Sequence, residues 1–129
     1  MTESEVDIIM KEVSFEQLLE QFIDGVEKTM NIDYAKASSV RRNNRGVDQY
    51  RKAAKDIDEL YPERLDEFAQ LLNAPSLKIR ICCAVCLAGL TRCRRETYDK
   101  AIFTVEEYVK SDECTEKLGF GVWLSEHRK

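Results

Sequence analysis

Apolar positions recur every three or four residues along most of this chain, the spacing of helical faces rather than of strands. Ser14 precedes FEQLLEQFIDGVEKTM, where Phe15, Leu19, Phe22, Val26 and Met30 follow at steps of four, three, four and four. Side chains so spaced share one face of an α-helix. Ser14 with Gln17 three positions on has the form of a capping box, so the helix is expected to begin at residue 15. Gly25 interrupts it at a cost of about 1 kcal/mol, but the stripe runs through. A second stripe joins Val47, Tyr50, Ala54, Ile57 and Tyr61. The polar run SSVRRNNRG before it is poor in strong helix formers. The second helix therefore begins either near Asn44 or, with a weak middle, near Ala35; the longer form is preferred.

Pro62 suits the first position of a short third helix, PERLDEFAQLL, with Leu65, Phe68, Leu71 and Leu72 inward. Asn73-Ala74-Pro75-Ser76 is turn chemistry. A fourth helix then carries Ile79, Cys83, Cys86, Leu87 and Leu90 at helical spacing. Leu77, Ile81, Val85 and Ala88 make it apolar nearly all round, the mark of a helix buried between neighbours. Thr97 or Asp99 is the expected cap of a fifth helix, with Ala101, Ile102, Val105, Tyr108 and Val109 inward. SDECTEKLG reads as a loop and GFGVWLSEHRK as a short last helix with Phe120, Trp123 and Leu124 apolar. No segment shows the two-residue alternation of a strand. The expectation is an all-α chain of about six helices: a flexible tail over residues 1–13, with an apolar patch at Val6, Ile8 and Ile9, then a single helical domain over 14–129.

The chain has 129 residues, enough to bury a core without covalent staples. Its 24 Asp and Glu against 20 Lys and Arg give a net charge of −4, which weighs against general phosphate binding and suits a partner with a basic surface. No apolar run approaches the roughly 20 residues of a membrane span. The N-terminus MTESEVDIIMKEVS is acidic and lacks a basic segment leading into an apolar one, so no signal peptide is read and a cytoplasmic location is expected. The five cysteines are then reduced thiols.

Candidate chemistry is sparse. Cys82 and Cys86 are one helical turn apart and could share a metal. Cys93 lies about 16 Å from Cys82 along the axis if the helix continues, and zinc asks for four ligands at about 2.0–2.3 Å. The only histidine, His127, is at the far end of the chain. Small apolar packing is the better reading of the cysteines, with Cys114 in its charged loop the one expected to be exposed. With one histidine near a terminus, no Cys-His or Ser-His nucleophile system is expected. Paired carboxylates such as Glu106-Glu107 alternate with Lys and Arg as on a solvated helix face. Neither a GxGxxG nor a GxxxxGK[ST] phosphate cradle is present. Two arginine clusters stand out: Arg41, Arg42 and Arg45 on the second helix, and Arg92, Arg94 and Arg95 after the fourth. On one face they could hold a phosphate backbone. Trp123, near Arg128, is either core or an exposed anchor for a partner.

ERLDEFAQLL and SLKIRICCAVCLAGL, joined by NAPS, resemble one HEAT-type helical repeat: a short amphipathic helix, a proline turn, an apolar-Arg step at Ile79-Arg80, small residues at Cys83 and Ala84, then Leu87. Cys83 stands where that pattern usually has Ala. The resemblance implies that Arg80 bonds backbone or an acidic group of the preceding helix. Over residues 15–127 the order of segments, closing on LGFGVWLSEHRK, resembles a family of short uncharacterised bacterial proteins with an armadillo-like α-helical fold; Leu124 sits closer to Gly119-Phe120 than in that pattern. The resemblance implies a HEAT-like superhelix of stacked helix pairs and brings no catalytic set. The expectation is a non-enzymatic protein–protein interaction protein without cofactor or metal, specifically an immunity or antitoxin protein that occludes a toxin domain, with Arg41, Arg42, Arg45, Arg92, Arg95 and Trp123 as candidate partner-binding residues. The alternative is a helical-repeat protein that binds nucleic acid through its arginine clusters.

Overall fold

A computed structural model describes residues 13–30, 33, 35–112, 114 and 117–127. The apolar patch at Val6, Ile8 and Ile9, with nearly all of the expected tail, lies outside the described residues. Among them are six α-helices: α1 (Phe15–Glu27), α2 (Ala37–Leu60), α3 (Leu65–Phe68), α4 (Leu77–Ala88), α5 (Arg95–Lys110) and α6 (Lys117–His127). Tight 3-10 turns at Pro62–Arg64 and Ala69–Asn73 flank α3, and no strand occurs among the described residues. The protein is all-α. It divides into two compact units, Met1–Arg64 and Leu65–Lys129.

In the first unit α1 and α2 form an antiparallel pair. The capping box is made: Gln17 N–H donates to Ser14 Oγ and Ser14 N–H to Gln17 Oε1. α2 takes the longer form, through the whole polar run. The reason lies at its weakest residue. Gly46 sits against Gly25 of α1, so closely that a Cβ built on Gly46 would stand 2.5 Å from the Gly25 carbonyl oxygen. Two glycines let the helix backbones touch, which explains why each helix tolerates one.

The crossing also decides which face of α1 is buried. Phe15, Leu18, Phe22, Gly25 and Val26 are interior, whereas Leu19 is half-buried. At about 100° per residue, Leu18 lies on the Gly25 side of Phe15 and Leu19 on the other. Contact at Gly25 turns the helix toward Leu18. Opposite lie Ala53, Ala54 and Ile57, with the Tyr50 ring edge-on to Phe22 at 5.7 Å. The far end is closed by Tyr61, whose hydroxyl donates to the Val13 carbonyl at 2.7 Å. There the Arg64 guanidinium lies 4.0 Å over the Phe15 ring and pairs with Glu16 at 2.9 Å.

In the second unit α4 packs against both the Ala69–Asn73 turn and α5. Cys83, Ala84 and Leu87 are fully interior with Phe68, Ala101 and Val105. The Cys83 thiol donates to the Phe68 carbonyl at 3.6 Å. α4 begins after Ser76, whose hydroxyl accepts from Ile79 N–H. Arg80 donates to the carbonyl oxygens of Ala74 and Pro75 at 2.6 and 3.2 Å, tying the proline turn to the helix.

α5 begins earlier than its side chains suggest. Its first residue is Arg95, with Arg94 in the cap position, not Thr97 or Asp99. The Thr97 hydroxyl instead donates to Asp66 Oδ1 at 3.3 Å, and Arg94 pairs with Asp66 Oδ2 at 2.6 Å, so one carboxylate of α3 holds the start of α5. α6 runs antiparallel to α5, with Phe120 edge-on to Tyr108 at 5.5 Å and Tyr98 reaching His127. It starts at Lys117, two residues before the expected Gly119. Cys114 is 4 % exposed and therefore buried, against the expectation from its charged neighbours. Its N–H donates to the Ser111 carbonyl at 3.4 Å, so it closes a turn, and a turn can bring one side chain inward whatever its flanks carry.

Candidate functional site

A wide concavity lies within the second unit. One wall is the Ala69–Asn73 turn and the start of α4; the other is the outward face of α5. Residues Glu96, Lys100, Phe103 and Glu107 step along α5 by four, three and four, so the groove follows one face of the helix. From Glu96 to Ser111 that is roughly 22 Å, about four turns. Its volume is about 1030 Å3. A second recess of about 510 Å3 continues it toward α6, lined by Val85, Phe120 and Trp123, and shares Leu77, Ile81 and Tyr108 with the first.

The floor is apolar and the rim charged. Phe103 is 61 % exposed at mid-groove, an aromatic left in water on a helix that buries Ala101, Ile102 and Val105. Leu72, Leu77, Ile81 and Tyr108 line the same space. Each rim carboxylate has a cation: Asp66 with Arg94 (2.6 Å), Asp99 with Arg95 (3.0 Å), Glu107 with Lys110 (3.5 Å) and Glu96 with Lys100 (3.7 Å). Such exposed pairs are each worth less than about 1 kcal/mol. They leave the groove little net charge, so apolar contact is what it offers a ligand. α6 adds a separate apolar row, with Leu118 and Val122 at 85 % and 55 % exposure.

His127 stands at the end of this unit. Its ring centroid is 4.2 Å from that of Trp123, and the Tyr98 hydroxyl donates to its carbonyl oxygen at 2.7 Å and lies 3.3 Å from its Nδ1. The Arg95 guanidinium sits 5.4 Å over the Tyr98 ring. Trp123 is half-buried in this stack and in the second recess. The five cysteines are thiols. Burial pushes Cys83 well up, with neighbouring Cys86 and Cys82 adding to the effect. A thiol held protonated in a dry interior is neither nucleophile nor ligand. Among the described residues no group of three or more His, Cys, Asp or Glu is arranged to hold a metal ion.

The residues singled out from the sequence are divided between the two units. Arg41, Arg42 and Arg45 are exposed on α2 of the first unit; Arg92 and Arg95 are exposed in the second. Of the six, Trp123 alone lines the concavity, through the second recess. The groove itself escaped sequence reading. Its one signal there is Phe103, an aromatic off the buried stripe of its own helix. No family model, curated protein or solved structure matches the chain.

Proposed function

We propose that this chain is a non-catalytic protein-binding module whose partner docks in the groove along α5. The observation that carries the reading is Phe103, exposed in the middle of an apolar-floored, four-turn groove. Large aromatics at the centre of a concave surface, ringed by polar groups, are the residues that dominate protein interfaces. The groove's length and its row of side chains on one helical face suit an amphipathic helix of the partner. The shape also fits a HEAT-type repeat, in which a short helix, a proline turn and a longer helix stack and their outer faces bind. The bonds from Arg80 to the Ala74 and Pro75 carbonyls support that likeness.

Within this class we take the chain for an immunity or antitoxin protein that occludes a toxin domain. Its net charge of −4 would favour a basic partner by steering the encounter. The test is co-expression with toxins encoded beside it, followed by titration calorimetry of any stoichiometric complex. Phe103→Glu should weaken that complex by about 30-fold or more, the minimum for a hot spot, and should restore toxicity, while leaving the thermal melt unchanged. A complex that tolerates Phe103→Glu would move the interface off the groove. Failure to rescue cells from any neighbouring toxin would remove the immunity reading and leave the groove to another partner.

A further inference from the structure

The first unit carries a charge separation that the groove does not use. Residues 34–52 hold Lys36, Arg41, Arg42, Arg45, Arg51 and Lys52 against the single acid Asp48, a net +5 in a chain whose total is −4. All seven of these charged side chains are exposed. Seven cations elsewhere are matched: Lys28, Lys55, Arg64, Arg94, Arg95, Lys100 and Lys110 each have an ion-pair partner. Among the described residues Arg41, Arg42, Arg45 and Arg51 have none, and of the six only Lys52 pairs, with Asp56. Arg41, Arg45 and Lys52 fall within about 40° of one another around α2 and span roughly 16 Å of its axis, with Arg42 beside them about 100° round from Arg41.

We infer that this face of α2 binds the phosphodiester backbone of duplex nucleic acid. A duplex presents about one negative charge per 1.7 Å of axis, so the patch lies opposite roughly ten phosphates. Arginine's planar fork matches phosphate oxygens in pairs. Two other polyanions fit less well. A membrane-surface helix needs large apolar side chains beside its cations, and here Val40 and Val47 are only half-buried flanks of a fully polar exposed face. Single strands are held by stacking on aromatics, and among the described residues of this segment the one aromatic, Tyr50, is half-buried and edge-on to Phe22. The site is independent of the groove, and its failure leaves the protein-binding reading standing.

The experiment is fluorescence anisotropy of the full chain with a short labelled DNA duplex across a salt series. Three arginines predict a slope of log K on log salt of about −2.7, a weakening of about 40-fold between 50 and 200 mM. Arg41→Ala/Arg42→Ala/Arg45→Ala should abolish that slope, and the milder Arg41→Gln/Arg45→Gln should reduce it by about two thirds. Asp48→Asn, which removes the one acid of residues 34–52, should tighten binding about threefold at low salt. Arg92→Ala/Arg95→Ala should change nothing. The inference is overturned by no binding at low salt, by a slope that survives the triple substitution, by weaker binding of Asp48→Asn, or by phosphatidylserine vesicles or poly-glutamate competing as well as duplex at equal charge.

Discussion

Gly25 and Gly46 make the sharpest quantitative test of the first unit. Replacing a helix-interior glycine by alanine should stabilise a helix by about 1 kcal/mol, because the unfolded chain loses freedom and the helix gains a better former. At the α1–α2 crossing the same change meets backbone. A Cβ on Gly25 would lie 2.8 Å from both the Gly46 carbonyl oxygen and the Tyr50 nitrogen. A Cβ on Gly46 would lie 2.5 Å from the Gly25 carbonyl oxygen and 2.8 Å from the Lys28 Cβ. Helix backbone atoms cannot rotate aside as a side chain can, so the helices must separate. Overpacking of an interior typically costs about 1–3 kcal/mol, and a gap of about 0.5–1 Å forfeits a quarter to a half of the dispersion contacts across it. The pair Phe22–Tyr50 lies next to the crossing and would share that gap.

The helix-propensity gain of about 1 kcal/mol therefore offsets only part of a cost at or above about 3 kcal/mol. Either substitution should destabilise by at least about 2 kcal/mol, with Gly46→Ala the worse. Urea unfolding followed by circular dichroism measures this directly. The double substitution should cost clearly less than the sum of the singles, since helices already pushed apart accommodate the second methyl. α6 supplies the control: nothing lies within 4 Å of a Cβ at Gly119 or Gly121, so alanine there should be neutral or stabilising by up to about 1 kcal/mol. Stabilisation by Gly25→Ala or Gly46→Ala, or strict additivity of the two, would refute the close crossing.

Three further outcomes follow from other parts of the molecule. Cys82, Cys83 and Cys114 are buried and Cys86 and Cys93 half-buried, so a thiol reagent should modify at most two cysteines quickly in the native protein and all five after denaturation. Rapid reaction of Cys114 would contradict its burial. Arg80→Ala removes two charge-assisted hydrogen bonds, both from Nη1, to the Ala74 and Pro75 carbonyls and should cost about 2 kcal/mol in urea melts. The Glu16 carboxyl is held below its usual 4.5 by its own backbone N–H and then by Arg64, and Asp24 below 3.8 by Gln49 and then by Lys28. A carboxylate depressed in the folded state stabilises above its unfolded pKa, and that contribution is lost as pH falls through the folded value. Thermal melts should therefore hold steady down to about pH 4.5 and decline below it, with Glu16→Gln showing a shallower decline.

What the sequence could say, and where it stopped, follows from the range of the forces involved. Helices α1 to α6 were legible because apolar spacing, the Ser14–Gln17 box and the proline turn act within a few residues. The length of α2 was legible in part: Val47 to Tyr61 propagates a helix backward more cheaply than a second nucleus forms, while the Gly46–Gly25 contact that supports the weak middle is tertiary. Details that depend on a partner element were not. Leu18 and Leu19 are chemically identical, and only contact at Gly25 turns one inward. Thr97 has the chemistry of a cap, but a carboxylate 31 positions earlier, Asp66, takes its hydroxyl, and the helix starts without it. Cys114 is buried by a turn, not by the polarity of its neighbours. Candidate sites divide along the same line. The arginines of α2 are readable because uncompensated charge is a property of local composition, and the fold adds only that they are exposed and without ion pairs. The groove is not readable, because a concavity is made by the second wall: Phe103 becomes a mid-groove aromatic only when Leu72, Leu77 and Ile81 stand opposite it. For this chain, then, the apolar docking surface is a product of packing and the cationic one of sequence, and they can be disabled separately. Phe103→Glu should leave duplex binding intact, and Arg41→Gln/Arg45→Gln should leave the protein complex intact. Loss of both functions from either change would mean that the two units do not act independently.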